Sequence, residues 1–250
     1  MKKLIVKYSI EFFVIVFSIS VSFFVENLRV ENENENQRRL IKQSLLQELK
    51  SGDEYLKWRK NSFEIDLKAI KLILKDDSPL DSIFSNVSEA GFSNPFIIPR
   101  NFNPPSSVYN SLVNDGTINL IKSQEVKSLI EDTYVFWTKT IQDWADDEGL
   151  IAEKIKFYIM ENYSEFYLKD IYTKTDKAIM LEFKNIVQND SKLKAYLKAK
   201  KGPMITKLNS LQNYYTDSRE SLISALEESL KWLIQTSFSA SFFRVSTRLW

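Results

Sequence analysis

Glycine and proline are the residues that let a chain turn sharply, and this chain holds 5 and 6 of them in 250 residues. Five of the prolines, Pro79, Pro95, Pro99, Pro104 and Pro105, fall in one stretch, so the rest of the sequence has very little turn chemistry. An all-β fold needs many tight turns, and a phosphate-cradling loop needs closely spaced glycines. Neither can be built from this composition. The expectation is an all-α fold: one N-terminal transmembrane helix continuing into a long helix, then an antiparallel helical bundle.

Cysteine and histidine are absent. That excludes disulfides, thiol nucleophiles, Cys/His zinc sites, Ser-His and Cys-His pairs and His-ligated haem. Lys+Arg 34 against Asp+Glu 33 gives a net charge of +1, so no overall basic field exists to hold nucleic acid. No cofactor, no metal and no nucleic-acid partner is expected, and the chain reads as a protein other than an enzyme. With 44% hydrophobic and 27% charged residues it is long enough to bury a core.

Residues 1–7 read as a short cytoplasmic tail with Lys2, Lys3 and Lys7. Residues 8–25, Tyr8 to Val25, carry a single charge, at Glu11, and at 1.5 Å per residue they cover about 27 Å, close to the thickness of a hydrocarbon core. The three lysines favour a cytoplasmic amino terminus, while Glu26, Glu31, Glu33 and Glu35 outnumber Arg29 just beyond the span. The bulk of the chain is then periplasmic, on a bacterial inner membrane. Arg38, Arg39 and Lys42 also lie within reach of the rule, which leaves the reverse orientation open. A cleaved signal peptide is the competing reading, because Ser18-Ile19-Ser20 and Ser20-Val21-Ser22 offer small residues at the inspected positions. The apolar run continues past both cuts through Phe23-Phe24-Val25, which favours a retained anchor. Glu11 has three readings: interfacial anchoring with Lys7 one turn earlier, contact with a partner helix, and proton handling.

Residues 26–39 form a juxtamembrane stalk, with Glu and Asn alternating from Glu31 to Asn36. The region 40–235 reads as a helical domain. Apolar residues recur at helical intervals from Leu40 to Leu74, with a break at Gly52. The proline-rich stretch 76–105 reads as a long loop that packs across the helical body through Phe92, Phe96, Ile97, Ile98 and Phe102. It is also the feature most suited to partner contact. Ser106 or Ser107 caps a short helix that stops before Gly116, and Ser123 opens a long one whose stripe runs through Val126, Ile130, Tyr134, Trp137, Ile141, Trp144, Ile151 and Ile155. Thr175-Asp176 and Ser191 cap two shorter helices, the second closed by Gly202, and Pro203 starts the last long helix. Residues 236–250 form an aromatic tail with Phe242, Phe243 and Trp250, read as docking onto the bundle, a partner or a membrane surface.

The densest acidic cluster is Asp143, Asp146, Asp147 and Glu148, and the densest basic run is Lys192, Lys194, Lys198, Lys200 and Lys201. On amphipathic helices both read first as wet faces, although the lysines also suit anionic headgroups or an acidic partner.

Two stretches carry a family resemblance. Ile10-Glu11-Phe12-Phe13-Val14-Ile15-Val16 running into Val25-Glu26-Asn27, together with Ser111-Leu112-Val113-Asn114-Asp115-Gly116-Thr117-Ile118-Asn119-Leu120-Ile121, resembles a family of uncharacterised bacterial single-span proteins. In that family an amino-terminal span with a Glu near its start leads through an Asn-rich exit into a basic helical stalk. Here Glu26 and Leu28 stand where Asn and Trp are usual. The resemblance implies a membrane-anchored helical domain without an assigned activity, and it matches the family at Glu11 and Asn27. The combined expectation is a membrane-anchored scaffold of the bacterial envelope, in contact with the lipid bilayer and with a protein partner or a second copy of itself. The alternative is an accessory subunit of an ion-driven or transport complex that uses Glu11.

Overall fold

A computed structural model describes residues 2–89, 94–169 and 176–246, with the side chains of 10–86, 94–169 and 176–231. Phe92 and Trp250 lie outside these residues, and Phe242 and Phe243 are described in their backbone alone. The fold is all-helical, with no strand among the described residues and with a long first helix followed by helices packed as a bundle.

Helix α1 runs Lys2–Ser51 and passes through the Glu-Asn patch without a break. Glu–Arg pairs along it support the helix through a segment with no apolar face. Arg29 bonds Glu26 one turn before it and Glu33 one turn after, and Arg38 reaches both Glu31 and Glu35. Gly52 separates α1 from α2 (Asp53–Leu74), where an added Cβ would come 3.3 Å from the Leu49 carbonyl and 3.6 Å from Pro105.

The proline-rich stretch is more regular than expected. A helix, α3 (Leu80–Glu89), stands inside it, because Pro79 at the start of a helix costs no hydrogen bond and its carbonyl takes the Ser82 and Ile83 N–H groups. Helix α4 (Ser107–Asn114) follows, and Gly116 adopts the left-handed conformation at φ 70° before a short 3-10 turn at Thr117–Leu120. Helix α5 (Gln124–Ile130) continues through a π turn (Glu131–Trp137) into α6 (Thr138–Asn162). Helices α7 (Ser164–Tyr167) and α8 (Lys177–Asn189) lead to α9 (Ser191–Asn209), which passes through a second π turn (Ser210–Tyr215) into α10 (Thr216–Ser246).

Three boundaries differ from the sequence expectation. Gly202-Pro203 does not end a helix: α9 runs through both, held by burial of Leu193 and Leu197 before them and Met204 and Leu208 after them. Asp190, one residue earlier than Ser191, caps α9 by accepting the N–H groups of Lys192 and Leu193, both at 2.9 Å. The aromatic tail is helical to Ser246 as part of α10.

The chain divides into two compact units. The first comprises 1–46, 108–123 and 226–250. Within it Glu31 accepts from both Arg38 of α1 (3.0 Å) and Lys122 beyond the 3-10 turn (2.8 Å), while Leu45, Ile121 and Leu226 are fully buried. The second comprises 47–107 and 124–225. Helix α9 is its central element, packed against α2, α6 and α8, and α3 packs against α2 and α8. Its core joins Phe63, Ile70 and Ile73 of α2, Ile141 and Ile155 of α6, Phe183 of α8 and Leu193 and Leu197 of α9. The two π turns contact each other: Trp137 stacks on Tyr214 at 4.7 Å and 8°, and Thr133 shares a 2.8 Å hydrogen bond with Ser218.

Candidate functional site

The first candidate is the apolar part of α1. Every residue from Ile10 to Val30 is exposed, including Glu11 and Asn27, so the apolar side chains ring the helix instead of facing one core. This helix is long and apolar enough to cross a membrane. Three of its serine hydroxyls are satisfied along the helix itself. The hydroxyls of Ser18, Ser20 and Ser22 each donate to the carbonyl four residues earlier, at 2.7, 2.8 and 2.9 Å. Lys7, the expected partner of Glu11, lies where side chains are not described.

The second candidate is a set of charges inside the second unit. The segment 94–106 crosses the bundle as a strap. Phe96, Ile97 and Phe102 point inward, with Phe96 packed 4.9 Å from Phe183 and Phe102 edge-on to Tyr215 at 5.0 Å. Sequence reasoning assigned Phe96 and Phe102 both to packing and to partner contact. They are 0% and 1% exposed, which corrects the second assignment, since a ring committed to the core offers nothing to an outside surface.

Side chains from three helices meet the strap. Arg100 on the strap forms a two-pronged pair with Asp66 of α2, Nε to Oδ2 at 2.5 Å and Nη2 to Oδ1 at 3.1 Å. From α9, Lys200 donates to the Pro95 carbonyl and Lys207 donates to the Arg100 carbonyl at 3.1 Å. Glu148 of α6 accepts from Lys207 through Oε2. Its Oε1 lies 3.3 Å from the Lys200 ammonium, an ion pair without hydrogen-bond geometry. Lys207 also sits 4.2 Å from the centre of the Phe63 ring. The strap backbone is further fixed by Gln142, which accepts from the Phe102 N–H at 2.9 Å, and by the Tyr55 hydroxyl, which accepts from the Asn103 N–H at 2.6 Å.

Glu148 and Lys200 are 0% exposed, Lys207 1% and Asp66 2%. Burial pushes both lysine amines below their ordinary range, against the pull of Glu148. Burial also pushes the Asp66 carboxyl up, and the Arg100 guanidinium opposes that shift without cancelling it. The chemistry of this set is structural. Three cations and two carboxylates hold a proline-rich segment by its carbonyls and by one of its own side chains. Neither of two surface clefts, one lined by Lys68, Asp81 and Asn86 and the other by Lys194, Lys198 and Lys201, has a member of the set in its lining. Among the described residues no group of three or more acidic side chains converges as a metal site.

Two sequence features are therefore divided by the fold. Asp143, Asp146 and Asp147 are exposed as expected, whereas Glu148 is wholly buried, and Lys192 and Lys198 are exposed whereas Lys200 is wholly buried. A signal existed for each buried charge. The apolar stripe on α6 jumps seven residues from Trp144 to Ile151, and Glu148 stands in that gap. On α9 and into the π turn after it, the positions Leu193, Leu197, Lys200, Met204, Lys207 and Leu211 step by threes and fours.

A third group surrounds Asp190. Besides capping α9, its Oδ2 accepts from the hydroxyls of Tyr158 (2.9 Å) and Tyr163 (2.7 Å). Partial burial raises the Asp190 carboxyl, but the hydrogen bonds from Tyr163, the Leu193 N–H, Tyr158 and the Lys192 N–H outweigh it, and the net shift is downward. The bond to Asp190 pushes Tyr163 up to about 12.

Comparison with models of known families, with curated proteins and with solved structures finds no match.

Proposed function

We propose that the chain is a single-pass protein of the bacterial envelope and acts there as a scaffold by contact with another protein. In this reading residues 8–25 anchor it in the inner membrane, the amino terminus is cytoplasmic, and the helical body is periplasmic. The observation that carries the reading is the ring of exposed apolar side chains on α1, with its serine hydroxyls bonded back to the helix. Such a surface is costly in water and favoured in hydrocarbon. Lys2, Lys3 and Lys7 on one side of the span, against the glutamates on the other, support the orientation.

The contact surface in this reading is the outer side of the strap. With Phe96 and Phe102 turned inward, Asn101, Asn103 and Pro105 remain exposed on a backbone that buried charges hold in place. A segment ordered before binding loses little conformational entropy on binding.

The absence of native cysteine supplies the topology test. Ser51→Cys and Ser224→Cys, both at exposed positions, are labelled in intact and permeabilised cells with a maleimide that cannot cross the inner membrane. Labelling of both in intact cells supports the exported body, and labelling only after permeabilisation removes it. The contact role is tested by a photocrosslinker at Asn101 or Asn103 in living cells. A discrete adduct that is missing when the crosslinker stands at Ser224 supports the role. No adduct at either strap position overturns it.

A further inference from the structure

A cleft of about 470 Å³ lies between the end of α2 and one face of α9. Leu74 bounds it on the α2 side, and Ser191, Lys194, Ala195, Lys198 and Lys201 bound it on the α9 side. These five positions fall at i, i+3, i+4, i+7 and i+10 along the helix, so they share one face. The lining residues include three lysines and no acidic residue, and the Asp76 carboxylate lies beside the Lys194 ammonium.

The other lysines of α9 are accounted for within the fold. Lys200 and Lys207 are buried on Glu148, and Lys192 lies 4.9 Å from the centre of the Tyr158 ring. In the cleft, Lys194 lies 2.6 Å from Asp76 and 3.1 Å from the Gln188 side-chain oxygen. Lys198 and Lys201 have no ion pair or side-chain hydrogen bond among the described residues. Two carboxylates near the start of α9 are already engaged, Asp76 by Lys194 and Asp190 by the α9 amino terminus and two tyrosines. Like charges three and four residues apart on a helix repel, so an anion between Lys194, Lys198 and Lys201 removes a penalty as well as making new contacts.

We infer that this cleft binds a phosphate-bearing anion, as a free phosphomonoester or as the headgroup of a phospholipid. A phosphate carries up to two negative charges and has oxygens enough to accept from the Lys198 and Lys201 ammonium groups together. The cleft is larger than a phosphate alone, and Leu74 and Ala195 line it with carbon next to the charges, where the organic group carried by the phosphate fits. The inference stands apart from the membrane reading.

The test is calorimetric titration of the full chain in nonionic detergent micelles with glycerol 3-phosphate, dihexanoyl phosphatidic acid and, as a zwitterionic control, dihexanoyl phosphatidylcholine. Lys198→Gln with Lys201→Gln is compared with Lys57→Gln and Lys60→Gln, which remove the same charge from exposed positions on α2. Phosphate binding weakened about tenfold or more by the first pair and left unchanged by the second supports the site. Equal affinity for the two phosphomonoesters then identifies a soluble ligand, and binding of phosphatidic acid alone identifies a headgroup. Absence of binding by both, or equal weakening by both pairs at unchanged circular dichroism, overturns the inference.

Discussion

Glu148 stands where helix α6 would ordinarily place an aliphatic side chain, between Ala145 and Ala152 on the buried stripe. Its environment is two ammonium groups and no water-exposed surface. Removing one member of such a set leaves charges buried without a counterpart, and the cost of that is about 3–5 kcal/mol. Glu148→Gln is therefore expected to lower the thermal midpoint markedly and to expose the strap, read as faster hydrogen exchange of the Phe102 and Asn103 amides. Glu148→Leu combined with Lys200→Met and Lys207→Met removes the charges together and is expected to cost far less than the sum of the single changes. Additive losses across that series would show that the ions do not act as a unit. Gly116 is a second position where one residue type matters. At φ 70° an alanine is strained by about 1–2 kcal/mol although nothing crowds its Cβ, and chemical denaturation of Gly116→Ala measures it. Gly116 was readable from the sequence because Asn114-Asp115-Gly116 is local turn chemistry. The gap in the α6 stripe marked Glu148 as well, but Asp143, Asp146 and Asp147 beside it made the whole cluster look solvated.

At the scale of elements, α9 shows how local signals and packing divide the work. Asp190 caps it, and Asp190→Ala is expected to cost about 1–2 kcal/mol, checked by denaturation. The carboxyl sits lower in the folded chain than in the unfolded one. As pH falls, the unfolded chain therefore takes up the proton first, so the stabilisation is whole above about pH 4 and is lost as pH falls through the folded value. Asp190→Asn is expected to flatten the fall of the thermal midpoint across that acid range, and an unchanged slope would refute the assignment. Tyr163 gives the alkaline counterpart. Held up to about 12 by Asp190, it favours the folded chain below its unfolded value near 10, and that contribution disappears as pH rises through the folded value. Gly202-Pro203 is the opposite lesson. Read alone, the pair ends one helix and begins another. The chain instead keeps a single helix through it, because leucine and methionine on both sides are buried against neighbouring helices, a long-range gain that the local cost of proline does not exceed.

For the whole molecule, the apolar length of α1 sets the expectation of membrane residence. Phe17→Arg places a charge near the middle of the proposed span, at a cost of about 2.5–3.5 kcal/mol for insertion. The full chain is expected to stay with membranes through carbonate extraction, and the variant to be partly released. Full release of the unaltered chain would remove the anchor.

The sequence by itself determined the helical class, the apolar first helix, the cap at Asp176 and the stop at Gly116, because each depends on composition, on length or on contacts within one turn. Tertiary structure decided which charges leave water, that Phe96 and Phe102 face inward, and that α9 crosses its proline. Those outcomes depend on partners dozens of residues away: Asp66 meets Arg100, and Glu148 meets Lys207. A charge on a helix reads as solvated until the fold brings its opposite to it, and the energy of that meeting belongs to the pair and its burial, which no single segment contains.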